Sequence, residues 1–368
     1  MKIVIVGAGI MGLATAWALR RRGHDVVVLE QGPFPNPLGS SVDEHRGFRR
    51  GYGAERGYQR MTRGALAAWE RLAADIGEAV YVEAGILYLT AARDPWLAAT
   101  LDGFAAEGVA FERLDLADLR RRFPAVRTEG VGHVVWSPTA GPLRAAAIMA
   151  GLGSWLAAQD APVRANRKVV AIDLDAASVA LADGSRIAGD RLVVAAGPWT
   201  PNLLPAYAAR VTPSRQILVY LEPPADLEPA WQAMPVLADL TTRENGIYVI
   251  PPAQGMRLKI GDHRTPLTGD PDRDRAASAA DTGLILAKAR ARMRDLDRFR
   301  HLESKTCLYD MTVDERFLIE TVGRGVVLAG FSGHGFKFGA VIGERVAAAL
   351  LDEIDPSALA QWAAGRIG

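Results

Sequence analysis

The chain has 368 residues, and its 43 basic and 42 acidic side chains leave a formal net charge of +1. This balance gives no electrostatic reason to expect a nucleic acid or an anionic membrane as a partner. A single cysteine excludes an intramolecular disulfide and a cysteine-cluster metal site, and the six histidines show no close ligand spacing, so we expect no metal. No apolar run reaches the ~20 residues of a membrane span, and no signal peptide precedes the first strand, so we expect a cytoplasmic protein.

The N-terminus has the pattern of a dinucleotide-binding βαβ unit. Residues 2–6 form an apolar run typical of a buried parallel strand, residues 10–22 have helical composition with Gly23 as the cap, and residues 25–29 form a second strand. Between the first strand and the helix lies G-x-G-x-x-G, in which Gly7 permits the turn, Gly9 lets the backbone approach a pyrophosphate and Gly12 allows close packing. Glu30 follows the second strand and can accept hydrogen bonds from ribose hydroxyls.

The rest of the chain alternates between two kinds of strand. We predict a Pro/Gly-rich loop at 31–41 and helices at 58–76, 143–158, 281–294 and 339–351. Between them we predict strands at 85–90, 191–197, 216–221, 246–250, 256–261 and 325–330. Nucleotide-type strands recur at 2, 25, 191 and 325, with antiparallel-type strands between them. The sequence therefore predicts a mixed α/β fold, in which a Rossmann-like domain (1–80, 145–212 and 318–368) is interleaved with an antiparallel-sheet domain (81–144 and 213–317).

Charged side chains collect in two segments outside the nucleotide unit. On a strand, residues 257, 259, 261 and 263 would share one face, so Lys259 and His263 could enter the same cavity. Residues 43–50 contain three arginines, and such a charged run usually indicates a solvated surface. This segment follows the loop after Glu30, however, so it could instead lie near the bound nucleotide.

Six separated motifs resemble the monomeric sarcosine oxidase family, within the D-amino-acid-oxidase-like flavoenzymes. They are GAGIMG with Glu30, GSSVDEHRGFRRGYG at 39–53, VVAAGPW at 193–199, RLKIGDH at 257–263, KTCLYDMTVDE at 305–315 and GFSGHGFKFG at 330–339. The resemblance implies one FAD, held by the N-terminus at its adenosine end and covered by the C-terminus at its flavin end. Because relatives act on sarcosine, N-methyltryptophan, pipecolate and fructosyl amino acids, it implies oxidation of a secondary amine or of an N-alkyl or cyclic amino acid.

The resemblance also implies roles for individual residues. Catalytic roles fall to Lys259 for oxygen activation, His263 at the substrate amine, Arg46 against the flavin and Tyr309 in the cavity, while substrate binding falls to Arg49, Lys337 and Tyr248. Cys307 would form a thioether to the 8α-methyl group of the flavin. The residues expected at the cofactor are Gly7, Gly9, Ile10, Met11, Gly12, Glu30, Ser40, Arg46, Val169, Gly197, Trp199, Cys307, Gly333, Gly335 and Lys337. Gly333 and Gly335 would let the backbone approach the ring, Arg50 is expected at the surface, and His45 stands where relatives often carry a hydroxyl residue.

The implied reaction transfers a hydride from a neutral amine to the flavin, after which the imine hydrolyses and oxygen is reduced to hydrogen peroxide. The expected partners are the small amine and O2, and we expect a monomer. A dehydrogenase that passes electrons to a quinone or partner protein is the first alternative, and a non-catalytic flavoprotein subunit is the second. An NAD-dependent dehydrogenase would leave the C-terminal motifs unexplained.

Overall fold

A computed structural model describes residues 1–242 and 246–367. Residues 243–245 and 368, which fall inside the predicted domain ranges, lie outside the described residues. The helices are α1 (Ile10–Arg20), α2 (Arg56–Ile76), α3 (Pro95–Ala106), α4 (Leu116–Arg122), α5 (Ala145–Ala158), α6 (Thr200–Leu203), α7 (Glu228–Gln232), α8 (Ala279–Arg292), α9 (Gly339–Leu350) and α10 (Pro356–Ala363).

The strands are β1 (Lys2–Val6), β2 (Asp25–Leu29), β3 (Arg46–Phe48), β4 (Ile86–Thr90), β5 (Glu112–Leu114), β6 (His133–Ser137), β7 (Gly141–Leu143), β8 (Val169–Asp173), β9 (Ser178–Leu181), β10 (Arg186–Ala188), β11 (Arg191–Val194), β12 (Thr212–Glu222), β13 (Val236–Leu240), β14 (Ile247–Ile250), β15 (Leu258–Asp262), β16 (Arg300–Met311), β17 (Leu318–Val322) and β18 (Gly325–Ala329). They form sheets of five, three, eight and two strands.

The five-stranded sheet has the order β17-β18-β11-β1-β2, and β2, β1, β11 and β18 run parallel. These are the four strands that the sequence assigned to the nucleotide unit, so that prediction is confirmed. Each is almost fully buried, because helices cover one face of the sheet and the three-stranded sheet of β8, β9 and β10 packs against the other. Helix α1 ends at Arg20, two residues before the predicted end, and the chain then turns through Gly23 at φ +77°.

The eight-stranded sheet has the order β16-β12-β15-β14-β13-β4-β6-β5 and is mostly antiparallel, with β13 and β4 running parallel. Alternation along β15 puts Leu258 and Ile260 into the core below the sheet and Lys259 on the opposite face. The long strand β16 carries Cys307 and Tyr309 and pairs with β12, which pairs with β15 on its other edge. Strand β12 thus lies between the strands that carry the RLKIGDH and KTCLYDMTVDE motifs. The boundaries of the two proposed domains stay a prediction.

Within residues 1–242 and 246–367, no helix combines the length and the apolar character needed to cross a membrane.

Candidate active site

A cavity of about 1280 Å³ runs from the glycine loop after β1 to the face of the eight-stranded sheet. Of the residues that the sequence assigned to cofactor, substrate or catalysis, Gly12 does not line the cavity, and all of the others do. Folding therefore brings segments from residue 7 to residue 337 around one space.

The glycine loop is shaped by backbone contacts. Gly7 has φ +101°, a conformation that favours glycine, and a Cβ there would collide with the Ala195 carbonyl. A Cβ at Gly12 would collide with the Gly7 carbonyl oxygen, so Gly12 supports the loop from within helix α1. The Ile10 N–H at the helix start donates to the Ser41 hydroxyl at 2.9 Å.

Glu30 holds the loop and the segment that follows β2. One carboxylate oxygen accepts from the Ala8 N–H at 3.0 Å, and the other accepts from the Gly32 N–H at 3.1 Å and from the Asn36 side chain at 2.8 Å. A carboxylate has about four acceptor positions, so Glu30 can still accept from a ribose hydroxyl. The structure thus gives Glu30 a structural role that sequence reasoning did not include.

Cys307 is buried on β16, where its thiol points toward the Ser40 carbonyl at 3.8 Å. Burial raises the pKa of the Cys307 thiol, while the nearby Arg46 and Lys259 act in the opposite direction. The Ser40 hydroxyl donates to the Leu308 carbonyl, which fixes the loop against the same strand. Cys307 therefore lies in a dry part of the cavity next to two cations.

Lys259 belongs to a buried charged cluster. Its ammonium group donates to Asp43 Oδ2 at 2.8 Å and to the His45 carbonyl at 2.6 Å. Arg46 also pairs with Asp43, and its second terminal nitrogen donates to the Ser40 carbonyl at 2.6 Å. Burial lowers the pKa of Lys259 to about 8, and the Asp43 carboxylate opposes that fall.

His45 lies fully buried beside this cluster. Its Nε2 is 2.8 Å from the Arg257 carbonyl, so Nε2 carries the proton and donates, and Nδ1 has no partner in the described structure. Burial, with Lys259 as the next cause, lowers the pKa of His45 to about 3. His45 is therefore neutral at physiological pH and adds no charge to the cluster.

Arg49 and Lys337 meet around Tyr52. The Arg49 guanidinium carbon lies 4.5 Å from the Tyr52 ring centroid, and the Lys337 ammonium donates to the Tyr52 hydroxyl at 2.9 Å and to the His334 carbonyl at 2.8 Å. Burial and then the charge of Arg49 hold the pKa of Lys337 well below its usual value. In the described part of the chain, neither cation is within ion-pair distance of a carboxylate.

Two tyrosines and a histidine face the same space. Tyr248 and Tyr309 both line the cavity, and burial raises the pKa of Tyr309 to about 12. His263 lies just beyond the end of β15, at the exposed mouth of the cavity, with Nε2 3.2 Å from the Ile247 carbonyl. Surrounding protein atoms and Arg49 lower the pKa of His263. The three side chains provide polar groups on the wall of the cavity.

The sequence of the chain matches the family model described as FAD dependent oxidoreductase over residues 2–349. The chain belongs to this family. It is 26% identical over 374 residues to the N-methyl-L-tryptophan oxidase of Yersinia pestis (strain Pestoides F), with 99% of this chain and 98% of that protein covered. The resemblance drawn from the motifs, and with it an FAD-dependent oxidoreductase, is confirmed.

Solved structures share the fold. NikD, an amino acid oxidase of nikkomycin biosynthesis, superposes with a TM-score of 0.81 at 24% identity, covering 97% of this chain and 96% of that chain. The L-proline dehydrogenase from P. horikoshii superposes with a TM-score of 0.83 at 18% identity, covering 99% and 96% of the two chains. The mixed α/β fold that the sequence predicted is therefore confirmed.

The cavity fits FAD. Its volume exceeds the ~300–1,000 Å³ of a typical small-molecule pocket, as a dinucleotide with a substrate beside it requires. At one end Gly9 and Ile10 lie at the start of helix α1, where anions bind, and Glu30 lies beside them. Gly197, at φ +52°, has no atoms within 4 Å of the position of a Cβ, which leaves that wall open. Trp199 is fixed in the same wall by Asp272 at 2.9 Å, and Val169 lines it nearby.

One expectation needs correction, and another gains a second explanation. Gly333 and Gly335 line the cavity, and their expected approach to a flavin ring stays a prediction. A Cβ at these positions would also collide with the side chains of Tyr309 and Phe331 respectively, so packing inside the protein favours glycine at both. Arg50 was expected at the surface, but it is half-buried, and burial lowers its pKa.

Sequence reasoning missed three residues around the cavity: Asp43, Tyr52 and Asp310. Asp43 stands in the DEHR segment and contacts Arg46, 3 residues away, and Lys259, 216 residues away. No local sequence pattern indicates that these two cations meet at Asp43. Asp310 lines the cavity, and one oxygen of its carboxylate is buried with no partner among the described residues. Burial raises the pKa of Asp310 to about 6. Its position directly after Tyr309 in a motif segment was the signal available.

Proposed function

We propose that this protein is an FAD-dependent oxidase of an amino acid whose nitrogen is a secondary amine. The observation that carries the proposal is the pair of Arg49 and Lys337, two cations on one cavity wall that lack a carboxylate partner in the described structure. Two like charges held together in a buried site are unfavourable unless an anion binds between them. A substrate carboxylate satisfies both, and the similarity to an N-methyl-L-tryptophan oxidase supports an N-alkylated amino acid.

The lining of the cavity supports a substrate with a sizeable side chain. Aromatic and apolar side chains line the same cavity as the two cations, namely Trp96, Tyr248, Tyr309, Phe336, Ile250 and Leu240. Such side chains gain from covering an apolar group, whereas a substrate as small as sarcosine would leave much of this surface uncovered. We therefore expect larger N-alkyl or cyclic amino acids to be preferred.

In the proposed reaction, bound FAD supplies the two-electron acceptor. Arg49 and Lys337 hold the substrate carboxylate, which orients the carbon–hydrogen bond next to nitrogen. Tyr248, Tyr309 and the neutral His263 offer hydrogen bonds to an uncharged amine. The substrate loses a hydride from carbon and a proton from nitrogen, water hydrolyses the imine to a carbonyl compound and a primary amine, and O2 takes up two electrons and two protons to give H2O2.

Lys259 is the proposed site of oxygen activation. A one-electron transfer to O2 makes superoxide, and a fixed cation in a dry site stabilises that anion far more than water would. The ammonium group of Lys259 is buried and on the cavity wall, which supports this assignment.

Cys307 is the proposed point of covalent FAD attachment. An S–C bond to the 8α-methyl carbon would replace one S–H and one C–H bond, so two electrons and two protons must leave, and O2 is their final acceptor. The thiol is buried on β16 and lies on the wall of the cavity that fits FAD, which supports the assignment. We also propose a cytoplasmic monomer of two interleaved domains, because of the charge balance, the lack of a long apolar run and the alternation of strand types along the sequence.

A panel of amines tests the proposed function. Purified protein is incubated with N-methyl, cyclic and glycated amino acids and with their decarboxylated counterparts, and both O2 consumption and H2O2 are measured. Carboxylated secondary amines should yield one H2O2 per amine oxidised. Turnover with an artificial quinone but without H2O2 would favour the dehydrogenase instead, and no turnover with either acceptor would favour a non-catalytic flavoprotein.

A further inference from the structure

Asp43 is a buried carboxylate whose surroundings differ from those of a ligand-binding acid. Its two oxygens accept from Lys259 at 2.8 Å, from the Glu44 N–H at 2.8 Å, from Arg46 and from the Tyr220 hydroxyl. A carboxylate has about four acceptor positions, so these four donors use its full capacity. Asp43 therefore has no position left for a substrate or a proton to be abstracted, and its effect must pass through the groups it holds.

The two groups that it holds are the cations on the flavin side of the cavity. Lys259 has three N–H donors, of which Asp43 and the His45 carbonyl take two, and the ammonium group lines the cavity. With two donors fixed, the direction of the third is fixed as well. Asp43 thus determines both the place and the orientation of the Lys259 charge.

We propose that Asp43 is a positioning residue that keeps Lys259 charged and aimed at the cofactor site, so that the carboxylate sets the pH range of the oxygen reaction. This inference rests on the proposed function of Lys259. One carboxylate against two cations leaves a net positive charge on this wall, enough to attract a developing anion while limiting repulsion between Lys259 and Arg46. Without the carboxylate, burial would favour the neutral amine of Lys259.

The other groups around Lys259 do not replace Asp43. His45 is neutral, as its buried position requires, and Tyr220 on the neighbouring strand donates its hydroxyl to Asp43. Arg46 repels the Lys259 ammonium, and the buried Cys307 has a raised pKa and is a neutral thiol. Among the described residues, the titratable and charged groups that face Lys259 are thus Asp43 and His45 from the loop, Arg46 from the start of β3, Tyr220 from β12 and Cys307 from β16.

The substitution Asp43→Asn in the flavin-loaded protein tests the inference by a readout that does not need turnover. The visible absorption of the oxidised protein is titrated with pH in the absence of substrate. The wild-type protein should show a transition near pH 8, where Lys259 loses its proton. Removing a carboxylate in direct contact should move the transition down by about one unit or more, and Lys259→Met should abolish it. A transition that persists in Lys259→Met, or that stays in place in Asp43→Asn, would overturn the proposal.

Reoxidation kinetics then connect the pair to oxygen. After anaerobic reduction, the rate of reoxidation by O2 should decline as the pH is raised through the pKa of Lys259. In Asp43→Asn the midpoint of this decline should lie at a lower pH than in wild type, by the same amount as the midpoint of the absorption transition. Glu44→Gln is the matched control, because it neutralises the next acid in the loop, which contacts Arg257 and not Lys259, and its profile should match wild type. A profile that moves equally in Glu44→Gln would make the effect a general one of loop charge and overturn the proposal.

The double variant Asp43→Asn/Lys259→Met covers the case in which Asp43→Asn does not fold, because it removes one charge of each sign. It should reoxidise at the rate of Lys259→Met, and an additional loss would show that Asp43 acts by another route. If wild-type protein forms no H2O2 with any amine but its absorption transition still shifts in Asp43→Asn, the proposed function fails and the positioning role stands. If the wild-type protein forms H2O2 and the transition does not shift, the proposed function stands and the positioning role fails.

Discussion

For the Arg49 and Lys337 pair, we predict that one substitution raises the stability of the ligand-free protein and lowers its affinity for a carboxylate. Replacing Lys337 with methionine removes a buried cation that has only neutral hydrogen-bond partners, Tyr52 and a backbone carbonyl. In the absence of an anion, that change should stabilise the protein, because a buried charge beside Arg49 is lost and an apolar chain of similar length replaces it. With a carboxylate bound, the same change removes one of its two cations.

The expected loss of carboxylate affinity follows from the burial of the pair. Removing one member of a desolvated, hydrogen-bonded charge pair costs ~2–5 kcal/mol. Because Arg49 remains and can still bind the carboxylate, we expect the lower part of that range, ~2–3 kcal/mol. At about 1.4 kcal/mol per factor of ten, this loss makes the dissociation constant larger by roughly 30- to 150-fold.

The assay is a titration of the visible flavin absorption with a thioether acetate, an unreactive analogue of an N-methyl amino acid, and with the same thioether lacking the carboxylate. In wild type, affinity for the acetate should fall as pH rises through the lowered pKa of Lys337, because the ammonium form binds the anion. Lys337→Met should lose that pH dependence, and the neutral thioether should bind both proteins alike. Lys305→Met is the control, since this lysine lies on β16, pairs with Glu303 at 3.4 Å and is not part of the cavity wall.

A change of less than threefold in acetate affinity, together with an unchanged melting temperature, would refute the reasoning. The first result would mean that the carboxylate does not bind at Lys337. The second would mean that the ammonium group is solvated rather than buried.

The remaining predictions concern single side chains. Lys259→Met should slow reoxidation of the reduced protein by about 10²–10³ while reduction by substrate changes little, and rapid mixing separates the two half-reactions. Cys307→Ser should release its FAD on acid precipitation and lose activity, whereas release of the FAD from wild type would remove the covalent link. Burial raises the pKa of the Asp310 carboxyl to about 6, so above pH ~6 the folded protein bears the cost of a buried carboxylate. Asp310→Asn removes this cost and should raise the free energy of unfolding by up to ~3 kcal/mol in that pH range. Below pH ~4 both folded and unfolded carboxyl groups are protonated and the gain should vanish, so a gain that is independent of pH in urea unfolding would contradict this account.

Local patterns were enough to predict the nucleotide unit, because each of its parts depends on neighbours in sequence. An apolar strand, a glycine turn and a helix start are defined within a few residues, and parallel strands with crossover connections leave few topologies. The alternation along residues 257–263 also predicted correctly that Lys259 lies on the cavity side of its strand. It was less accurate for His263, since β15 ends at Asp262 and the histidine belongs to the following turn.

The residues that the sequence did not reveal depend on long-range contacts. Tyr52 and Lys337 are 285 positions apart, and Asp43 and Lys259 are 216 apart. Helical spacing and strand alternation relate residues only a few positions apart. Neither pattern can therefore reveal an ion pair between residues that are far apart in the sequence. Gly333 shows the same limit, because the Tyr309 side chain that it accommodates lies 24 positions away in the sequence.

The two groups of cations in this cavity differ in one respect that separates their functions. Lys259 and Arg46 have a resident carboxylate, Asp43, so their charge is fixed in place whether or not a ligand is bound. Arg49 and Lys337 have no carboxylate partner in the described structure, so a ligand that carries a carboxylate should bind there favourably. A resident anion neutralises part of the charge and makes a site less sensitive to added anions, whereas its absence makes a site more responsive to them. Chloride should accordingly compete with a carboxylate inhibitor at Arg49 and Lys337 and leave reoxidation through Lys259 unaffected. Equal sensitivity of both steps to chloride would mean that the two groups act as one electrostatic site.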